Sequence, residues 1–214
     1  MRSPLAQASH LNSVSHKRHM PLPRPAYGSK PRARTETPGR RQMGAATQRL
    51  QTMTTAHDFS FAKLDEAGEI KLEDFRGKAV LVVNVASACG FTPQYRDLEA
   101  LSEAKSSKGL VVVGVPCNDF GQQEPGEEKQ IREFCDTSYH VSFPMTAKVE
   151  IVPEARRHPF YRWIAEQVGE SALPRWNFHK YLIGKDGALV NTFSSKAAPL
   201  GPDMLEAIDK ALAA

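Results

Sequence analysis

Among the 214 residues, the side chains with the widest chemical choice are three cysteines, Cys89, Cys117 and Cys135. They are too few and too far apart for a secreted disulfide scaffold. With no C-x-x-C pair and no H-x-x-x-H partner they also lack the spacing of a zinc site, and no metal or cofactor is expected. Reactivity or packing must explain them. Cys89 sits between a buried apolar run and a helix start, where the N–H groups of the helix end favour thiolate over thiol. A thiolate in such a place can attack the O–O bond of a peroxide and leave a sulfenic acid. Position alone also allows the other reading, an inert cysteine of the core.

Regular elements must hold that cysteine. Residues 59–64 and 70–72 around Glu66-Ala67-Gly68 predict a short β-hairpin. Residues 78–85 (KAVLVVNV) form a β-branched apolar run, the pattern of a central strand covered on both faces. Thr92-Pro93 then predicts a helix start, with Thr as cap and Pro at the first helical position, and the helix continues through Tyr95, Leu98 and Leu101. Residues 110–115 are a second buried strand, so the order implies a right-handed parallel crossover. Glu127-Glu128 open a helix bearing Ile131 and Phe134. Residues 149–152 suggest a short strand and Pro159–Val168 a helix. Residues 181–183 and 188–193 flank the Asp186-Gly187 turn as a hairpin. A last helix, residues 202–212, presents Leu205, Ile208 and Leu212 to the core. Crossover first and antiparallel hairpin last is the order of a thioredoxin-like α/β fold, a central mixed sheet flanked by helices.

The residues around the cysteines narrow the choice. Residues 84–92 (NVASACGFT) are similar to the N-V-A-S-x-C-G-x-T signature of the glutathione peroxidase family. Residues 116–126 (PCNDFGQQEPG) resemble its P-C-N-Q-F-G-x-Q-E-P-G segment, and Trp176-Asn177-Phe178 its W-N-F. The resemblance runs from about Phe59 to the C-terminus. It implies a thioredoxin-like fold, reduction of hydrogen peroxide and organic or lipid hydroperoxides, and a catalytic group of Cys89, Gln123, Trp176 and Asn177. The Gln123 amide and Trp176 indole N–H would donate to the thiolate or the peroxide oxygens as charge moves to the leaving oxygen, and Asn177 would add a second amide. Without the resemblance, Gln123 reads as a solvated loop residue and Trp176 as a core aromatic. Val115, Asp119 and Thr146 depart from the family pattern, at none of the four reactive positions. His179 is given no role.

The resemblance also bears on the reductant. Members that use thioredoxin resolve the sulfenic acid with a cysteine one position after Cys135, where this chain has Asp136. Cys135 is therefore either a resolving or a packing residue; for Cys117 packing is favoured. Only 12 residues lie between Trp163 and Trp176, which leaves no room for the insertion that builds a tetramer interface in some glutathione-using relatives. A compact monomer with thioredoxin as reductant is expected, with glutathione as the alternative. Thioredoxin itself would need a cysteine where Thr92 stands, and a peroxiredoxin a Thr where Ala86 stands. A redox relay, in which Cys89 senses peroxide and passes oxidation to a client protein, remains a different kind of function.

Composition bounds the rest. The net charge of +4 is unevenly spread, because residues 1–52 carry ten Lys/Arg against the single acid Glu36. That segment also holds six prolines and no apolar period, so it is read as a disordered extension ahead of one domain, residues 53–214. It is either a targeting peptide or an upstream or added sequence before Met53. With the basic charge confined there, nucleic-acid binding is not expected of the domain. No run approaches the length of a membrane span, and a cytoplasmic protein is expected unless the extension directs it to an organelle.

Overall fold

In the computed structural model, residues 54–64 and 67–214 are described. The expectations for the 1–52 extension and for Met53 as the domain start lie outside the described residues, as do Asp65 and Glu66 of the first turn.

The hairpin pairs β1 (Ser60–Ala62) with β2 (Glu69–Lys71) antiparallel. The main sheet begins with β3 (Ala79–Val85), in which all seven residues are buried. After helix α1 (Gln94–Lys105) the chain returns as β4 (Leu110–Pro116), parallel to β3 in the register Ala79↔Leu110. Helix α2 (Glu128–Phe134) and helix α3 (Pro159–Val168) follow, then the antiparallel strands β5 (Lys180–Ile183) and β6 (Leu189–Phe193), and finally helix α4 (Pro202–Ala213). The strand order is β4-β3-β5-β6. This is the mixed sheet expected from the element order.

Successive side chains of a strand point to opposite faces, and here both faces are covered. Leu81, Val83 and Val85 join Leu110, Val112 and Leu182 in one core with Tyr95, Leu98, Ile131, Met204 and Ile208. Val80 and Val82 join Val113, Val115, Tyr181 and Ile183 in a second core with Phe160, Tyr161 and Ile164 of α3. Two-sided burial explains the unbroken apolar runs.

Three local expectations are corrected. Residues 149–152 are not a strand: Val149 N–H bonds Pro116 C=O, but the amides of Ile151 and Val152 both donate to Asp119 Oδ2, at 2.6 and 2.9 Å. A carboxylate takes the donors that a ladder would need. Thr92 does not cap α1, whose cap residue is Pro93; its hydroxyl turns back toward the preceding loop. On α4 the fully buried residues are Met204, Ile208 and Ala211, with Leu205 and Leu212 only partly covered.

Candidate active site

Topology brings three distant segments to one edge. Because β3 and β4 are parallel, with Val85 opposite Pro116, residues 86–92 and 117–126 leave the sheet at the same end. Strand β5 runs the other way, with Lys180 opposite Val83, so residues 176–179 enter the sheet there. The carboxyl ends of parallel strands are the usual binding edge of an open α/β sheet.

Cys89 lies in a closed turn at this edge. Thr92 Oγ1 accepts from Cys89 N–H at 3.0 Å and donates to Ala86 C=O at 2.8 Å, and Thr92 N–H bonds Cys89 C=O at 3.0 Å. Phe91 N–H donates toward the sulfur at 3.4 Å. The donor to Sγ is thus an amide of the turn rather than of α1, whose first residue, Gln94, comes five positions later. Cys89 remains 8% exposed. Thr92 is a residue that sequence reasoning placed in the wrong role; its position three after the cysteine in the NVASACGFT run was the available signal.

Gln123, Trp176 and Asn177 come together behind that turn. Ala88 N–H bonds Gln123 C=O at 3.0 Å, which ties the second segment to the neighbour of Cys89. Asn177, fully buried, donates from Nδ2 to Gln123 Oε1 at 2.9 Å and to Phe120 C=O at 3.3 Å. That bond occupies the oxygen of the Gln123 amide and leaves its N–H₂ free to donate elsewhere. The Trp176 ring lies over Gly121, where an added Cβ would stand 3.0 Å from Cη2 and 3.6 Å from Gln123 Cγ. Gly121 also has φ +69, a left-handed conformation that a glycine adopts without cost. Trp176 is 38% exposed, so it is a wall of the site and not the core aromatic that its type alone suggests. Among the described residues neither Gln123 nor Trp176 is hydrogen-bonded to Cys89 Sγ.

Asn84, near the end of β3, fixes the third segment on four bonds. Its side chain donates to Trp176 C=O at 3.2 Å and accepts from His179 N–H at 3.1 Å; its backbone bonds Phe178 N–H at 2.6 Å and His179 C=O at 3.2 Å. It was legible only as one letter of a motif, since an Asn inside an apolar strand announces a polar duty without saying which.

The remaining polar groups divide by burial. Cys117 is enclosed in the α3-side core and burial pushes its thiol up to about 12, which fits packing. Cys135 is 0% exposed, lies in the same core as Cys89, and burial raises it to about 11. It opens a five-residue π-turn, Cys135–Tyr139, that follows α2 directly. His179 packs on Tyr181 and burial lowers it to about 4, leaving it neutral at ordinary pH. Lys180 is fully buried, lowered to about 7 by burial, and donates to Gln94 Oε1 and Ala197 C=O, so it braces the first residue of α1. Among the described residues no cluster of His, Cys, Asp or Glu could hold a metal ion, and no helix is long and apolar enough to cross a membrane.

Comparison with known proteins adds chemistry to this geometry. A family profile described as Glutathione peroxidase matches residues 56–165. The chain is 42% identical to a hydroperoxy fatty acid reductase, gpx1, of Synechocystis over 70% of this chain and 92% of that one. It is 39% identical to the thioredoxin/glutathione peroxidase BtuE of Escherichia coli, over 70% and 93%. Among solved structures it superposes on Trgpx in its apo form with a TM-score of 0.61 and 32% identity, covering 76% of this chain and 98% of that chain. A thioredoxin family thiol:disulfide interchange protein of Chlorobium tepidum shares the fold at 17% identity, with a TM-score of 0.56 and coverage of 74% and 96%.

Proposed function

The chain belongs to the glutathione peroxidase family and is a peroxidase, and from that premise we propose that it reduces hydroperoxides through a sulfenic acid on Cys89, as part of a response to oxidative stress. The thiolate sulfur attacks the terminal oxygen of R–O–O–H. The O–O bond breaks, Cys89 carries the OH, and RO⁻ leaves as alcohol, or water when R is hydrogen, after taking a proton. The free N–H₂ of Gln123 and the indole N–H of Trp176 serve as donors to the oxygen that gains charge, and Asn177 orients the Gln123 amide. The observation that carries this reading is the pair of bonds Ala88 N–H to Gln123 C=O and Asn177 Nδ2 to Gln123 Oε1, which join all three motif segments beside Cys89. The exposed Trp176 ring suits bulky substrates such as fatty acid hydroperoxides.

For the reductant the favoured reading is thioredoxin. Cys135 attacks the sulfur of the sulfenic acid, water leaves, and thioredoxin reduces the resulting Cys89–Cys135 disulfide. In support, both sulfurs belong to one core, and the short Trp163–Trp176 connection leaves no room for a tetramer-building insertion, which favours the expected monomer. The full burial of Cys135 favours a second reading, in which glutathione attacks Cys89 directly and a second glutathione releases it. The relay function differs from both in ending on one client protein.

Cys89→Ser tests the core of the proposal in steady-state peroxide reduction with thioredoxin or glutathione as sole reductant. Activity should vanish; retention of more than about a tenth of the rate, worth only ~1.4 kcal/mol of barrier, would remove Cys89 from the mechanism.

A further inference from the structure

The hydroxyl that closes the turn of Cys89 has no task in these steps. Thr92 Oγ1 meets a carbonyl, Ala86 C=O at 2.8 Å, and an amide, Cys89 N–H at 3.0 Å. A carbonyl only accepts and an amide N–H only donates, so these partners fix the hydroxyl as donor to the first and acceptor from the second. Thr92 is 5% exposed, which leaves water little access to either bond. Threonine hydroxyls often bond nearby backbone in turns. Here both bonds go to the flank of the reactive cysteine.

The rest of the segment is anchored at both ends. Upstream, Cys117 N–H bonds Val85 C=O, and Ala88 N–H bonds Gln123 C=O. Downstream, Gln94 is held through both ends of its amide: Lys180 Nζ donates to Oε1 at 2.6 Å, and Nε2 donates to Ser195 C=O at 2.8 Å. Between these anchors the chain bends back on itself, so that Phe91 N–H points at the sulfur two residues earlier, at 3.4 Å. Thr92 bridges the bend. Among the described residues, Phe91 N–H is the donor that reaches Cys89 Sγ, and an N–H so aimed stabilises negative charge on the sulfur.

We propose that Thr92 is a positioning residue for peroxide attack, its hydroxyl setting the turn so that Phe91 N–H meets the sulfur of Cys89 while that sulfur carries charge. The inference rests on the reading of Cys89 as the attacking thiolate. The bond to Ala86 C=O fixes where the hydroxyl stands, and the bond from Cys89 N–H fixes the backbone from which the sulfur projects. Valine has nearly the same shape and can make neither bond, whereas serine can make both. The need is confined to one half of the cycle. A thiolate approaching peroxide is charged and a sulfenic sulfur awaiting its reductant is not, so the reducing half-reaction does not draw on the Phe91 amide.

The test is steady-state kinetics on the full chain, with hydrogen peroxide and either thioredoxin or glutathione as reductant. In a cycle that alternates between two substrates, kcat/KM for each reports its own half-reaction. Thr92→Val should lower kcat/KM for peroxide about 10²-fold, the scale of loss that a small misplacement of a reacting group brings, and leave kcat/KM for the reductant at the wild-type value. Thr92→Ser should keep both near wild type. An unchanged peroxide value in Thr92→Val, with Cys89→Ser inactive, overturns the inference and leaves the Cys89 reading standing. Equal losses for both substrates overturn it too, since they mark a hydroxyl that only supports the fold. Activity in Cys89→Ser removes the Cys89 reading and this inference with it. Should Thr92→Val fail to fold, Thr92→Ser decides alone: a peroxide kcat/KM near wild type supports the hydroxyl, and a large selective loss overturns it.

Discussion

Trp176 and Asn177 are adjacent in the chain and contribute in different ways. Trp176 is partly exposed and packs over Gly121, so Trp176→Phe removes an N–H and little buried surface. It should slow single-turnover sulfenic acid formation by ~10²-fold while leaving the melting temperature nearly unchanged. Asn177 is fully buried and bonds two acceptors. Asn177→Ala strips Phe120 C=O and the Gln123 amide of their shared donor, and should both slow that step and cost about 1–3 kcal/mol in urea denaturation. Equal effects of the two substitutions on rate and stability would mean that both residues only pack. The meeting of Cys89, Gln123, Trp176 and Asn177 at one edge was readable from motif letters, because residue types at fixed spacing survive in a linear string. What holds them was not: Asn84 and Thr92 act through backbone bonds to segments that only the fold brings near.

At the scale of elements, the site depends on where strands end. The parallel β3–β4 pair and the reversed β5 deliver three loops to one edge, and the sequence pattern gave the strands, the crossover and the last hairpin. It did not give the pairing of β5 with β3, since a run of apolar residues specifies burial without specifying a neighbour. Residues 149–152 show the same gap from the other side, an apolar stretch denied a ladder by one carboxylate. The π-turn after α2 departs from α-helical bonding, and its wide hydrogen-bonded ring is uncommon and occurs mostly as single turns. If Cys135 must travel to Cys89, this turn should open first. Hydrogen exchange followed by mass spectrometry should then show faster exchange at residues 128–141 after one equivalent of peroxide, with β3 unchanged; uniform protection before and after would assign the π-turn a static role.

For the whole molecule, two half-buried histidines shape the response to acid, and buried His57 is lowered in the same direction by burial and by Arg76. His158, stacked on Phe61 with ring centroids 4.2 Å apart, and His179 are both lowered to about 4 by burial. The folded chain refuses protons that the unfolded chain binds below about 6.5, so stability is lost as pH falls from there toward 4. Glu124 works in the opposite sense, since its raised value stabilises the acid side and that contribution fades as pH rises. The urea midpoint should therefore drop between pH 6.5 and 4, and His158→Asn, which keeps an acceptor for Phe160 N–H, should flatten part of that slope. An unaltered slope would place the acid sensitivity in other groups. The burial of the thiols has a consequence for anyone attaching a dye. Cys117 and Cys135 are 0% exposed and raised to about 12 and 11, whereas Cys89, though buried, keeps 8% of its surface exposed. A maleimide at neutral pH should therefore mark one sulfur promptly, and the later arrival of a second label would count how often the end of α2 comes undone, giving the enzyme a stopwatch in its own composition.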